Sequence, residues 1–333
     1  MEKVRRYSLV LIVSALIMGL MGCELKTSAG SNGEQNFPNH PMEVVIPFGE
    51  GGASDTFARK FTDIINETSP EPLQAINKGG SGGLVGMIYA EKQANDGYTV
   101  LEVTPSHVIS DVLERGKGVE LQQDFEPLVR IQSDIYILSV PIDSKINNFE
   151  ELIESSKENT LTFGGISPGG LDDLTLKALA EETGMKVKFI PYKSGSEVKA
   201  AVLGGEVDVY LDKIISSIGY IKDKKVKPLV VLNDERISKV DELRDVPTTK
   251  ELGYDTTIGS WRGFVVEKGT PEYAKEFYIN QMKEAYSTDE YQQFAEKNLV
   301  DIREGFLGPE EFKQQWEEEY QTFTKVAKET GLK

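Results

Sequence analysis

The residues of this chain best placed to do chemistry are glycines, and the chemistry they suit is the holding of an anion. Phe48-Gly49-Glu50-Gly51-Gly52 and Gly79-Gly80-Ser81-Gly82-Gly83 each follow a short apolar run, Val44-Val45-Ile46 and Leu73 to Ile76. Each also precedes a helical pattern. The first helix opens at Ser54 or Asp55 and carries Phe57, Ala58, Phe61, Ile64 and Ile65 at helical spacing, and the second runs from Leu84 to Ala94. A strand, a glycine turn and a helix start together aim N–H groups that lack intrahelical acceptors at whatever sits in front of them. Glycine suits the turn because a β-carbon would hold the ligand away and resist positive φ. Gly164-Gly165-Ile166-Ser167-Pro168-Gly169-Gly170 makes a third such turn, and Pro191-Tyr192-Lys193-Ser194-Gly195-Ser196 a fourth strand-to-helix junction. Open α/β sheets bind ligands at the carboxyl ends of their strands, so two early and two middle turns predict facing walls of a cleft between two lobes. The reading requires amides that have no internal partner.

Other chemistry finds little material. The chain has two histidines and one cysteine. It contains no G-x-x-x-x-G-K-[ST] loop, no H-E-x-x-H pair and no G-x-G-x-x-G. Carboxylates are abundant, but no motif arranges them as a hydrolase pair. The expectation is a protein that is not an enzyme and that uses no cofactor and no metal.

The elements that position the turns come after an export signal. Lys3, Arg5 and Arg6 precede an apolar run from Leu9 to Met21, too short to span a bilayer comfortably. It ends in Leu20-Met21-Gly22-Cys23, which resembles a bacterial lipobox. By that resemblance residues 1–22 are a lipoprotein signal peptide and Cys23 is the lipidated residue, anchoring the protein to the outer face of the bacterial cell membrane. An ordinary signal peptide is the alternative. With no second cysteine, disulfides within the chain are excluded. Residues 23–40 read as a flexible tether. Removing residues 1–22 takes three cations and Glu2 from a formal net charge of −17 and leaves −19, a poor balance for a nucleic-acid partner. Diffuse surface charge is screened beyond roughly 8 Å, so local donors can still hold an anion.

Alternation of apolar runs and helical patterns predicts strands at 43–47, 73–77, 98–103, 135–140, 161–164, 187–190, 207–211, 227–232, 262–266 and 300–303. Helices are predicted at 54–67, 83–94, 149–157, 171–183, 195–203, 216–223, 271–286, 288–297 and 309–329. This is an α/β pattern with largely parallel sheets. No internal repeat is visible. Phe312, Trp316, Tyr320 and Phe323 mark the last helix as one that packs on a core.

Pro47-Phe48 with Gly51-Gly52 and Asp55, Gly79 to Gly83, Asp96-Gly97-Tyr98-Thr99, the 164–170 turn and Pro191-Tyr192-Lys193 together form an ordered set. Leu203-Gly204-Gly205-Glu206-Val207-Asp208, Asp245-Val246-Pro247-Thr248, Ser260-Trp261-Arg262-Gly263 and Gly269-Thr270-Pro271 continue it. In order and spacing this resembles the substrate-binding proteins of tripartite tricarboxylate transporters, also called the Bug family. The resemblance implies a two-lobed periplasmic-binding-protein-like α/β fold, two sheets flanked by helices, with a ligand cleft between lobes. It places lobe 1 at 41–141 plus 261–333 and lobe 2 at 142–260. It implies a monomeric receptor that captures a small organic acid and delivers it to a permease of small and large membrane subunits. A sensor of the same fold that signals to a membrane kinase is the alternative, and a lipid-anchored adhesin a third reading.

Carried over by residue, Phe48, Gly51 and Gly52 donate to one carboxylate, partly through water, helped by Gly82 and Gly83. Gly165, Ser167, Gly169, Tyr192, Lys193 and Ser194 close from the other lobe. Asp55 orients a ligand group, caps its helix, or both. His107 and Asp212 are further ligand candidates, with surface roles as the plainer reading. Trp261 packs near the domain crossing, and Arg262 is the one cation there. Where the family has a serine and a histidine, this chain has Gly170 and Asp173. Asp172 and Asp173 either serve the first helical turn, or one of them selects a cationic group on the ligand.

Overall fold

The computed structural model describes residues 37–333 apart from 166–167 and 193–194. The expected signal peptide, Cys23 and most of the expected tether lie outside the described residues, as do Ser167, Lys193 and Ser194. Among the described residues the strands are β1 (Met42–Ile46), β2 (Leu73–Asn77), β3 (Thr99–Val103), β4 (Phe125–Asp134), β5 (Tyr136–Pro141), β6 (Leu161–Gly165), β7 (Val187–Pro191), β8 (Tyr210–Lys213), β9 (Val226–Val231) and β10 (Ser260–Glu267). The α-helices are α1 (Ala53–Asn66), α2 (Leu84–Glu91), α3 (Pro105–Val112), α4 (Leu121–Asp124), α5 (Phe149–Glu158) and α6 (Leu171–Thr183). They continue with α7 (Gly195–Leu203), α8 (Ile214–Lys222), α9 (Glu272–Tyr286), α10 (Asp289–Lys297) and α11 (Pro309–Glu329).

The first sheet has the order β2-β1-β3-β10-β4. β1 is parallel to β2 and β3, and β10 is antiparallel to β3 and β4. The second half repeats this winding. β5 lies between β8 and β9, antiparallel to both, and β6 pairs in parallel with β7. The bridge from Phe163 to Val209 and the amides of Asp208 and Val209 on the Thr162 carbonyl tie β6 to the chain entering β8. The running order is therefore β7-β6-β8-β5-β9, which matches the first sheet strand for strand. The repeat hidden from the sequence is in this winding and in a short motif that begins each half.

The chain passes from one sheet to the other at Ile135, between β4 and β5, and returns at β10. β5 thus lies between β8 and β9 in the second sheet, whereas a boundary at 142 put it at the end of the first lobe. Three elements were not anticipated, β4, α3 and the four-residue α4, and the strand expected at 300–303 does not form. Pro127 and Glu126 interrupt the apolar pattern of β4. The strand tolerates them because it is the sheet edge and its register slips beside Pro127.

Each half is built on an apolar cluster, and Leu174 and Ala178 of α6 join that of the first half. Val45, Leu101, Val103 and Trp261 meet Phe312, Trp316 and Phe323 of α11, and Tyr136, Leu138, Phe149 and Phe163 anchor the second half. Trp261 meets Phe312 edge-on at 5.0 Å, and its indole N–H donates to both Glu319 carboxylate oxygens at 2.8 and 2.9 Å. Full burial of one such ring stabilises by about 1.5–3 kcal/mol. Among the described residues, no helix is long and apolar enough to cross a membrane.

Candidate ligand cleft

The turn after β1 is built by Asp55. Gly51 sits at φ +72°, and its N–H donates to Asp55 Oδ2 at 2.9 Å. Asp55 Oδ1 accepts from Arg59 Nε at 2.8 Å and from Asn77 Nδ2 at 2.9 Å, and Asn77 also reaches the Phe48 carbonyl. Burial alone would raise the Asp55 pKa, but the Gly51 amide, Asn77 and Arg59 hold it below its ordinary value. The carboxylate therefore fastens the turn to the end of β2. Gly52 then runs extended at φ −77°, ψ 173°, and no side chain caps α1. The first-turn amides of α1, not that of Gly51, are the available donors.

The turn after β6 repeats the device. Gly169 sits at φ +66° and donates to Asp173 Oδ2 at 2.7 Å, while Lys177 Nζ reaches the same oxygen at 2.9 Å. Gly170 is extended, and α6 also starts without a side-chain cap. The shared motif is Gly-Gly-x-x-Asp with a cation four residues on: Gly51, Gly52, Asp55 and Arg59, then Gly169, Gly170, Asp173 and Lys177. The position before the aspartate differs, Ser54 in the first half and Asp172 in the second.

Both helix starts open onto one cleft of about 800 Å³. Phe48, Glu50, Gly52 and Ser54 form one wall; Gly170, Leu171 and Asp172 form another. Thr104 and Ser106 add hydroxyls, Tyr136 and Lys213 come from β5 and β8, and Ser260 and Arg262 come from β10. α3 also begins here but caps itself: Ser106 N–H donates to Thr104 Oγ1, and Thr104 N–H to His107 Nδ1. Its amides are less available than those of α1 and α6.

Beneath Ser54 lies a buried ionic group. Arg262 Nη1 meets Asp134 Oδ2 at 3.0 Å, and its Nε reaches Ser54 Oγ at 3.3 Å and Glu102 Oε1 at 3.8 Å. Glu102 is fully buried and neither carboxylate oxygen has a hydrogen-bond partner among the described residues. Burial pushes it up to about 7, against the pull of Arg262.

Of the residues expected to bind ligand, Phe48 and Gly52 line the cleft, while Gly51, Asp55 and Gly169 build its turns. Gly82 and Gly83 form a short 3₁₀ turn, and Gly83 N–H is committed to the Gly80 carbonyl. A β-carbon on Gly83 would stand 2.6 Å from His107 Nε2, so these two pack together behind the wall. His107 is fully buried, and burial lowers its pKa to about 4, so it is a neutral packing and capping group rather than a surface or cleft residue. Gly165 faces Phe189, which its β-carbon would meet at 2.4 Å, and Tyr192 N–H holds the Gly165 carbonyl. Asp212 accepts from Tyr210 OH and from Lys213 N–H and does not line the cleft. Ser54, Thr104, Ser106, Tyr136, Lys213 and Ser260 were not anticipated. Lys213, which directly follows a flagged aspartate at a strand end, carried the nearest thing to a signal.

Two uncapped helix starts, set on two sheets of one winding and facing a common cleft, define a solute-binding protein of the periplasmic-binding-protein type. The family is equally plain: residues 57–330 match the model of the tripartite tricarboxylate transporter family receptor, and the chain belongs to that family. It is 26% identical over 302 residues to a UPF0065 protein from the TAR-I ttuE-ttuC' intergenic region of Agrobacterium vitis, covering 90% of this chain and 86% of the relative. A TctC solute binding protein from Polaromonas shares the fold at TM-score 0.78 and 23% identity, covering 88% of this chain and 99% of that one. MatC from Rhodopseudomonas palustris with bound malate superposes at TM-score 0.71 and 24% identity, over 87% and 99% of the two chains.

Proposed function

We propose that this receptor captures a small carboxylate between its halves and delivers it to a tripartite tricarboxylate-type permease of small and large membrane subunits. It acts outside the cytoplasm as a monomer, held to the cell membrane by a lipid on Cys23. The observation that carries the ligand class is the pair of uncapped first turns, α1 and α6, opening on one cleft. A hydrogen bond to a charged group contributes about 1.5–3 kcal/mol, and a helix N-terminus about 0.3–1 kcal/mol more. A few such contacts outweigh a screened acidic surface. Malate in MatC is a ligand of the kind this geometry favours. By contacting both halves the acid favours the closed form, and the closed form docks on the permease.

A thermal-shift panel of mono-, di- and tricarboxylates and acidic amino acids is expected to yield one clear stabilising class. Ligand at 100 times its Kd adds about 2.7 kcal/mol. Gly52→Phe is expected to abolish that gain while the protein stays folded, because its side chain enters the cleft beside the α1 amides. Unchanged affinity in that variant refutes the α1 amides as the carboxylate site. For the anchor, Cys23→Ser is expected to move the protein out of the membrane fraction. Normal lipid labelling of that variant refutes lipidation at Cys23.

A further inference from the structure

The charges that line the cleft are not symmetric. Arg262 is already held by Asp134, with Glu102 close by, so it brings little free positive charge. Lys213 makes no ion pair among the described residues; its Nζ lies 5.0 Å from the centre of the Tyr136 ring. Asp172 likewise has no cationic partner among them. Its Oδ1 accepts from Tyr136 OH at 2.5 Å, and among the described residues Oδ2 has no donor. Tyr136 is wholly buried, and burial and then the Asp172 charge push its pKa well above the usual value, so the phenol keeps its proton and goes on donating. That bond fixes the Asp172 carboxylate at the cleft wall.

Asp173, its neighbour, is turned away. It is buried under the turn, where it holds Gly169 N–H and Lys177. Asp55, its counterpart in the first half, is likewise turned under its own turn. What each helix start presents to the ligand is therefore set by the residue before the aspartate. On α1 that residue is Ser54, a neutral hydroxyl among free amides. On α6 it is Asp172, whose charge already complements the positive end of the helix. An acid group placed against α6 would meet this carboxylate, whereas one placed against α1 meets donors.

Resting on the receptor reading above, we propose that Asp172 is the specificity residue of the cleft. The ligand is an organic acid that carries a protonated amine, its carboxylate on the α1 start and its ammonium on Asp172. Lys213 then stands beside the same wall for a second acid group.

The test is isothermal titration of the full receptor with matched pairs that differ only in the amine: propionate and alanine, succinate and aspartate, glutarate and glutamate. The expected result is that the tightest binder carries the amine and exceeds its partner by about ten- to hundredfold, as a charge-assisted hydrogen bond requires. Asp172→Asn, which can still accept from Tyr136, is expected to erase that ratio. Asp172→Ser, which copies the first wall, is expected to favour the acid without the amine. A tightest binder without an amine overturns the proposal yet leaves the receptor reading standing, since an acid still binds. A ratio unchanged in both variants overturns it too. If no carboxylate of any kind binds, the receptor reading falls and this inference falls with it. The wild-type ratio needs no variant, so poor folding of a mutant does not protect the idea.

Discussion

The turn after β1 and the turn after β6 are the same construction used twice. Each has a glycine at positive φ whose amide is held by an aspartate four residues on, then an extended glycine that starts an uncapped helix. They differ in what lies at the tip and underneath. The first presents Ser54 over the Arg262, Asp134 and Glu102 group; the second presents Asp172 over the phenol of Tyr136. The scaffold sets where donors point, and one residue per turn sets what they accept. A repeated fold can thus build a cleft whose two sides recognise different ends of one molecule.

The largest effect that separates the two sides is expected at Glu102, which has no counterpart beneath the second turn among the described residues. It faces Arg262 of β10 and Ser54 and Asp55 of α1, with Asp134 of β4 across the guanidinium. Its pKa rises from 4.5 to about 7 on folding. The folded state therefore binds its proton more tightly, and this group's contribution to stability is fully present below pH 4.5. That contribution is lost as the pH climbs through 7, and costs about 3 kcal/mol once the group is ionised. Glu102→Gln is expected to match wild type near pH 4.5 and to be more stable by about 3 kcal/mol at pH 8. Urea unfolding at the two pH values measures it. Parallel pH profiles for the two proteins would mean that Glu102 does not titrate in this window.

The sequence made the scaffold more legible than the site. β1, α1 and α11 announce themselves by period: Val44 to Ile46 as a buried run, Phe57, Phe61 and Ile64 on one helix face, Phe312, Trp316 and Phe323 on another. β4 was hidden because an edge strand with a register slip tolerates Glu126, Pro127 and Arg130. α3 was hidden because it has only eight residues, and its Thr104-Pro105 start reads equally well as a loop. The false strand at 300–303 has a buried Val300, but its Arg303 side chain reaches Leu232, Asn233 and Thr257 and holds the segment as a bend. In the site, Phe48 and Gly52 were readable because they belong to the turn itself. Tyr136, Lys213 and Ser260 come from strands far apart in sequence, and no local pattern marks them. Asp55 and His107 were picked as ligand candidates, yet Asp55 holds the turn and His107 caps its helix from the core, because a polar residue beside a glycine turn can serve the turn as easily as the ligand. Only coordinates tell which way it faces.

A finer contrast lies between the two aspartates that build the turns. Counting hydrogen bonds favours Asp55, which joins Gly51, Asn77 and Arg59, over Asp173, which joins Gly169 and Lys177. Burial argues the other way. Gly51 is exposed and the Arg59 side chain is 44% exposed, so water replaces much of what Asp55 supplies. Gly169 is buried and the Lys177 side chain is only 23% exposed. Asp173→Ala leaves an amide that water does not readily reach, and an unsatisfied buried donor costs about 1–3 kcal/mol. Asp173→Ala is therefore expected to lose about 2 kcal/mol of unfolding free energy and Asp55→Ala about 1 kcal/mol, both read from denaturant midpoints at constant slope. The reverse order would show that the number of partners, rather than their access to water, sets the strength of these turns. The second wall would then be the weaker of the two, and the one freer to move as the halves close.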